Sequence, residues 1–579
     1  MLTLAIHDGH TASVVLMKDG KFVYAIQEER LVNEKNIGGF PDHSLADLLQ
    51  RQSLTLEDID RFVFAGTTPF RSDSLISRQA VLKKYAGFFS QKPGIIGNDL
   101  SSKIRPFIPS FVLEYKNKLS QKNKSLRKDH LINLGVPSDK ITLYDHHQCH
   151  AAAAGYGWDR QDRFVVVTLD SSGDGISGTV NIFENNQINR LTEIKIGDSI
   201  ARIYSLITYY MGMVPMEHEY KLMGMAPYSE GSEQAREIAD YFHGLFELNK
   251  DGLSYQRKSG VEPVREMGPR LSRYLPFKRF DHICAGLQLF IEEFAASWIQ
   301  NILKTLQCPY LALSGGLFMN VKLNKRIMEL EEVKDMFVFP SCGDESNVFG
   351  AAYLDYVQQN GKQPAPISDY CLGGEFSNEE IEQALSTFSY KNCSVGYSKH
   401  QDIEAEVARL IAAKEVVARF HGRMEFGARA LGNRSILAHP GDPDAVRTIN
   451  KMIKNRDFWM PFAPSMVDSS RYIINSKGIK APYMIMTFDT VPEKIKAMTG
   501  AVQPYDGTCR PQEVYEEWNP SYYRIIREFE KITGESVILN TSLNLHGYPL
   551  VYSPNDSLNV FDNSGLKYLA IGSYLVVKQ

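Results

Sequence analysis

With 579 residues, 43% of them apolar and 23% charged, the chain has the make-up of a globular protein too long for one ordinary core, so about two or three domains are expected. A net charge of −4 without a polybasic run gives no electrostatic reason for a nucleic-acid partner, and no apolar run reaches the ~18 residues of a membrane span. Seven cysteines scattered singly read as reduced thiols, and no leader-like pattern of basic then apolar residues is present, so a cytoplasmic protein is expected.

Leu2 to Ile6 reads as a buried strand running into the turn-rich His7-Asp8-Gly9-His10. Ala12 to Met17 and Phe22 to Gln27 are two further strands, joined by Lys18-Asp19-Gly20-Lys21, a type I′ hairpin signal. From about Ser74 to Lys128 the chain is rich in Ser, Lys, Phe and Ile and reads as a helical insertion, with Ser110 to Lys118 as one helical stretch.

Tyr144-Asp145-His146-His147-Gln148-Cys149-His150 then leads into four alanines. His146 and His150, four apart, fall on one helical face, and the alanines favour the helix. Neutral imidazole is a common ligand for Zn, Fe and similar ions, and this spacing lets two rings reach one ion. A zinc protease needs glutamate where His147 stands, so a hydrolytic zincin is not the reading; a packed helix start with histidines near its cap is the bland alternative.

Phe164 to Leu169 is a strand, Asp170-Ser171-Ser172-Gly173-Asp174-Gly175 a polar turn, and Ser177 to Phe183 another strand. Consecutive N–H groups in such a turn make an anion-binding concavity. Singly, each unit reads as a plain hairpin; its recurrence is how an actin-like ATPase domain embraces a nucleotide between two halves. Lys221, beside the turn Gly224-Met225-Ala226-Pro227, is placed to hold a phosphate as a point charge, with a solvated loop lysine as the alternative. Tyr310 to Ser314 is an apolar strand ending in Gly315-Gly316, which admits a ligand close to the backbone, with Asn320 available to a ribose or base. Asp344, at the mouth of a further helix, reads either as an N-cap or as the acid that completes a two-histidine metal site.

A break at Gly361-Lys362-Gln363-Pro364-Ala365-Pro366 puts a domain boundary between Asn360 and Tyr370, giving domains of 1–360 and 370–579. Beyond it, Arg423, Arg429 and Arg434 stand among glycines and small residues, and guanidinium forks bind phosphate oxygens bidentately. Lys454 continues the basic theme, followed by Asp506-Gly507-Thr508-Cys509-Arg510 and Leu539-Asn540-Thr541-Ser542-Leu543-Asn544.

In this order, His7-Asp8, Asp145-His146-His147-x-x-His150, Leu169-Asp170, Glu219 to Pro227, Gly315-Gly316 and Gly343-Asp344 resemble the O-carbamoyltransferases of the nodulation and antibiotic-tailoring family. The C-terminal motifs carry the likeness over nearly the whole chain. The departures are Pro511-Gln512 after Arg510, Gly427-Ala428-Arg429 where the family has Gly-Pro-Arg, and Leu543 for phenylalanine.

The resemblance implies an α/β and α+β architecture: an N-terminal actin-like domain similar to a threonylcarbamoyl transferase, fused to a C-terminal domain similar to a carbamoyl-adenylate synthase. It implies that carbamoyl phosphate and ATP meet at Arg423, Arg429, Arg434, Lys454, Arg510, Asn540, Ser542 and Asn544, with Mg²⁺ on the triphosphate, giving carbamoyl-adenylate. An ion, for which the resemblance favours Fe²⁺ and the ligand set accepts Zn or Mn equally, would be held by His146, His150 and Asp344 with Asp170. His7, beside Asp8, is the expected base toward a hydroxyl of a natural-product or sugar acceptor, with a turn histidine bonded to Asp8 as the alternative. Lys221, Gly315, Gly316 and Asn320 would cradle the nucleotide, and the helical insertion would cover the acceptor pocket. An actin-like small-molecule kinase would leave the arginine-rich half without a task, and a tRNA threonylcarbamoyl-type transferase sits poorly with the acidic balance.

Overall fold

The computed structural model describes residues 1–68, 78–90, 127–454, 457 and 459–579. Most of the expected insertion, including Ser110 to Lys118, lies outside the described residues; inside it, Arg78–Ser90 is a helix.

The first sheet is built from β1 (Leu2–His7), β2 (Ser13–Lys18), β3 (Lys21–Gln27), β4 (Arg61–Ala65) and β5 (Ile141–Tyr144), in the order β3-β2-β1-β4-β5. The β2–β3 connection is the expected type I′ turn, with φ of 50° at Asp19 and 80° at Gly20. The second sheet consists of β6 (Phe164–Gly173), β7 (Ile176–Glu184), β8 (Gln187–Lys195), β9 (Tyr310–Ser314) and β10 (Asp335–Val338), in the order β10-β9-β6-β7-β8. The two orders are the same, and so are the directions. In each sheet three antiparallel strands are extended by two parallel ones. The recurring strand-turn-strand unit is therefore half of a duplicated five-stranded sheet, the actin-like arrangement. β8 escaped the sequence reading because its residues, Gln187 to Lys195, are mostly exposed on a sheet edge and carry no apolar run.

Between the sheets lie the helices His146–Gly157 and Asn347–Asn360. A side chain at Gly350 would overlap the backbone carbonyl of Cys149, so the helices cross in backbone contact. That close crossing brings the start of one helix, with His146 and His150, beside the short 3-10 turn that enters the other, with Asp344. The second helix ends at Asn360 on Gly361, a left-handed C-cap with φ of 64°.

The C-terminal part is an eight-stranded sheet. Its strands are β11 (Val395–Lys399), β12 (Val417–Phe420), β13 (Arg434–Ala438), β14 (Ala463–Met466), β15 (Gln512–Glu513), β16 (Val537–Ser542), β17 (Tyr568–Ile571) and β18 (Tyr574–Lys578). They run in the order β11-β18-β17-β12-β13-β16-β14-β15. Side chains alternate between its faces. Val417, Leu437, Ile538 and Ala570 pack on the helices Ile403–Ala412 and Pro520–Thr533. Ala418, Ile436, Leu539 and Leu569 pack on Asn378–Thr387 and Pro554–Asp562.

The break in sequence near 361–366 is not a break in packing. Phe426, Met466, Tyr472, Ile485 and Val537 belong to the same apolar core as Val166, Leu313 and Phe349. Among the described residues no helix is long and apolar enough to cross a membrane.

Candidate active site

One nitrogen each from His146 and His150 and one oxygen each from Asp170 and Asp344 lie within 4.8 Å of one another. His146 Nε2 is 2.9 Å from Asp170 Oδ2, and His150 Nε2 is 3.5 Å from both Asp170 Oδ2 and Asp344 Oδ1. The i, i+4 spacing sets the two rings on one helical face, and Asp145 caps that helix by accepting from the Gln148 N–H at 2.9 Å. Asp170 lies in the polar extension of β6, which runs to Gly173, four residues beyond the strand end expected at Leu169. Gly173 completes the wall: a Cβ there would overlap the His146 ring.

Neighbouring groups fix how the rings point. Ser314 Oγ lies 3.1 Å from His150 Nδ1, and Asn347 Nδ2 donates to His150 Nε2 at 3.2 Å. His147 bonds Thr168 Oγ1, 2.9 Å from its Nδ1, with its Nε2 3.6 Å from Asp170 Oδ1, and Thr168 is in turn bonded to Thr179. Asp170 Oδ1 is buried without a hydrogen-bond partner. Burial opposes the charged form of His146, but the Asp344 and Asp170 carboxylates outweigh it and raise the imidazole to about 9. Burial likewise opposes ionisation of Asp344, and His146 and His150 overcome it, holding the carboxyl at about 2. Asp170 is held well below the usual carboxylate range against the same burial cost, by His147, His146 and His150. Two acids kept ionised beside two imidazoles, one acid oxygen unsatisfied, form a donor set that fits a divalent ion of the Fe, Zn or Mn type.

His7 does not bond Asp8. Its Nε2 donates to the His10 carbonyl at 3.0 Å, leaving Nδ1, buried and unpartnered, as the basic nitrogen. Burial lowers this imidazole to about 4, so it is neutral at pH 7. Asp8 is held by Arg127 instead, whose guanidinium forks onto both carboxylate oxygens and also reaches the Gly66 carbonyl. Arg127 carries no local motif, and its pairing with Asp8 spans 119 residues of chain. Asp174 ties the rim together, accepting from the N–H groups of Thr67, Thr68 and His146 at 2.7–2.8 Å.

These groups open onto a chamber of about 870 Å³. His7, His146, Asp170, Gly316, Asn320 and Asp344 line one side, and Arg429, Ser542 and Asn544 from the C-terminal half line another. The Gly427-Ala428-Arg429 segment is carried into the chamber by N-terminal residues. Gln27 Oε1 accepts from the Gly427 N–H at 3.0 Å, Arg30 donates to its carbonyl at 2.5 Å, and Ser341 Oγ accepts from the Ala428 N–H at 3.3 Å.

The remaining sequence candidates divide. Gly315, with φ of 105°, packs against Leu169, where a Cβ would overlap the backbone. Asn320 caps the helix Val321–Met328 through the Leu323 N–H and exchanges two hydrogen bonds with Gln288. Lys221 does not line the chamber: its ammonium pairs with Asp457 at 3.0 Å. The segment carrying Arg423 and Arg429 is a loop between β12 and β13, and its arginines diverge. Arg423 donates to the carbonyls of Val23, Leu372 and Gly373. Arg434 is fully buried over the Phe420 ring, 3.7 Å from its centre, and donates to the carbonyls of His421, Gly422 and Asn433. Burial lowers its pKa to about 10, which still leaves it charged.

Neither arginine is a chamber wall. The Arg434 guanidinium answers carbonyls of the glycine-rich loop, and that of Arg423 answers carbonyls of β3 and of the segment after the proline-rich break. Glu425, absent from the sequence reading, organises that loop by accepting from the N–H groups of Leu431, Asn433 and Arg434 at 2.8–3.0 Å. Asn540 donates to Ala430 O, Ser465 Oγ and Gln512 Oε1 beneath the loop, while Ser542 donates to Asn544 Oδ1 at 2.6 Å. Arg510 stands between the short strands Thr508–Cys509 and Gln512–Glu513. The Lys454 side chain lies outside what the structure describes.

Comparison with known proteins places this geometry. A model described as the carbamoyltransferase N-terminus matches residues 2–353, and one described as the carbamoyltransferase C-terminus matches 408–578. The chain is 29% identical to uncharacterized protein sll1178 of Synechocystis sp., over 98% of this chain and 95% of that one. It is 28% identical to nodulation protein NolNO of Sinorhizobium fredii, over 99% of this chain and 79% of that one. A crystal structure of full-length HypF in the phosphate- and nucleotide-bound form aligns over 62% of this chain and 47% of that one at 12% identity. Its TM-score of 0.36 is too low to add to the strand topology.

Proposed function

Because the chain belongs to the carbamoyltransferase family and is an enzyme of carbamoyl transfer, we propose that it works by two half-reactions meeting in one chamber. In the C-terminal half, carbamoyl phosphate gives up phosphate to water. The carbamate oxygen so formed attacks the α-phosphorus of ATP, and pyrophosphate leaves with the cleaved P–O pair, giving carbamoyl-adenylate. Arg429, with Arg510, Lys454, Ser542 and Asn544, orients the phosphates, and Mg²⁺ accompanies ATP. In the N-terminal half an acceptor hydroxyl attacks the carbamoyl carbon and AMP departs. His7 takes the hydroxyl proton at Nδ1, a role suited to an imidazole kept neutral by burial. Asp8 and Arg127 hold the His7 turn, and Gly316 with Asn320 forms the floor under the nucleotide.

His146, His150, Asp170 and Asp344 would hold a divalent ion, Fe²⁺ in our reading, which when bound supplies Lewis acidity toward phosphate or carbonyl oxygen. The domain division is taken at 360–370, with the acceptor a hydroxyl-bearing natural product or sugar. The observation that carries the reading is that one chamber is walled by the histidine–carboxylate cluster and by Arg429, Ser542 and Asn544. Its test needs no acceptor: the purified protein should release pyrophosphate from ATP only with carbamoyl phosphate present. Release of ADP, independent of carbamoyl phosphate, would turn the duplicated-sheet half into a kinase.

A further inference from the structure

Lys322 is a half-buried cation that neither half-reaction uses. It stands on the helix Val321–Met328, two residues beyond the capping Asn320, and its side chain is 16% exposed. Its ammonium reaches across to the other half of the chain, pairing with Asp506 Oδ2 and donating to Thr508 Oγ1 at 3.2 Å. Asp506 is occupied on both oxygens. Oδ1 accepts from the Thr508 N–H at 3.0 Å and from its hydroxyl at 2.7 Å, folding the turn in which Gly507 takes φ of 68°. Arg510 follows two residues after Thr508.

The other end of this contact leads back to the chamber. Asn320 and Tyr204 line it, and both bond Gln288: Tyr204 donates to Gln288 Oε1 at 2.9 Å. Gln288 donates in turn to Glu292 at 2.6 Å, and Glu292 is a half-buried carboxylate whose field falls on Lys322. Hydrogen bonds thus run from the chamber wall to Glu292, whose charge acts through space on Lys322, and Lys322 in turn bonds the Asp506-Gly507-Thr508-Cys509-Arg510 turn. The Lys322 and Asp506 side chains are only 16% and 19% exposed, so removing one partner leaves the other charge poorly compensated.

We propose that Lys322 is a positioning residue for carbamoyl activation, holding Asp506 and through it Arg510 from the opposite half of the chain. The proposal rests on the two-half-reaction reading above. It also provides its own control, because Lys325, on the same helix, bridges to the same half through Asp489 at 3.1 Å, and that carboxylate is 49% exposed. An exposed pair contributes little.

The test is acceptor-free pyrophosphate release in the full chain, as kcat and KM for carbamoyl phosphate, with thermal unfolding alongside. Lys322→Met and Asp506→Asn should each lower kcat/KM about tenfold or more. Lys322→Arg should recover most of the loss, the Lys322→Met/Asp506→Asn double variant should be no worse than the worse single one, and Lys325→Ala should stay within about twofold of wild type. A wild type that releases pyrophosphate, with Lys322→Met matching it, would overturn the proposal alone. Equal losses in Lys325→Ala and Lys322→Met would reduce Lys322 to a general interface contact and overturn it too. If Lys322→Met does not fold, Asp506→Asn decides by the same criterion. A wild type that releases no pyrophosphate with carbamoyl phosphate would overturn the two-half-reaction reading, and this proposal with it.

Discussion

His146, His150, Asp170 and Asp344 stand on or beside regular elements, and their donor atoms gather within 4.8 Å. Arg423 and Arg429 stand on a glycine-rich loop and Arg434 opens the strand that ends it, and their guanidiniums separate: two turn inward to backbone carbonyls and one reaches the chamber. The difference is one of backbone demand. A helix satisfies its own amides, so side chains on its face are left for chemistry. The loop 421–433 forms neither helix nor strand, so Arg434 is drawn to its carbonyls, while Arg423 turns away from the chamber to those of Val23, Leu372 and Gly373. Clustered charge in a sequence therefore means a site when the backbone beneath it is already satisfied.

The sharpest way to break this contrast is to remove one member of the cluster. His146→Ala or Asp344→Ala should abolish bound metal, measured by elemental analysis, and lower transfer by on the order of 10³-fold while pyrophosphate release survives. Within the loop, the arginines should behave as two kinds. Arg429→Ala should reduce pyrophosphate release by about 10²-fold with an unchanged melting temperature. Arg434→Met should destabilise the fold by about 2–4 kcal/mol in denaturant unfolding, since it strands buried carbonyls. Ser314→Ala, which loosens only the orientation of His150, should weaken metal binding by about 10- to 100-fold in competitive titration.

A smaller effect comes from histidines kept neutral. His7 is lowered to about 4 by burial, and His421 to about 3 by the Arg419 charge and then by burial. Both lie below the unfolded value near 6.5, so their contribution to stability is complete above pH 6.5. It should be lost as pH falls from 6.5 through about 4 and then 3, which denaturant midpoints across that range would register. A midpoint independent of pH there would show these rings to be accessible to protons in the folded state.

Much of the first half was legible because its signals are local. Alternation and apolar runs gave β1 to β3, Asp19-Gly20 gave the hairpin, and the four-residue spacing gave the two-histidine face. Asp170 was recognised, although the strand that carries it runs on to Gly173 through polar residues that look like a turn. What escaped depends on distant partners. No local pattern announces that Arg127 answers Asp8, that Lys221 answers Asp457, or that Lys322 answers Asp506. Glu425 reads as an ordinary acid among arginines, yet it folds the loop through three amides. The proline-rich break at 361–366 reads as a separation, while the apolar core runs across it, because burial is decided by the assembled surfaces and not by the linker.

Carbamoyl-adenylate should form in the arginine half independently of the metal cluster. Exchange of labelled pyrophosphate into ATP measures that step without an acceptor. Wild type and His146→Ala should both exchange label, only when carbamoyl phosphate is present, and Arg429→Ala should not. Exchange that is absent in wild type, or that disappears with His146, would contradict the division of labour between the two halves.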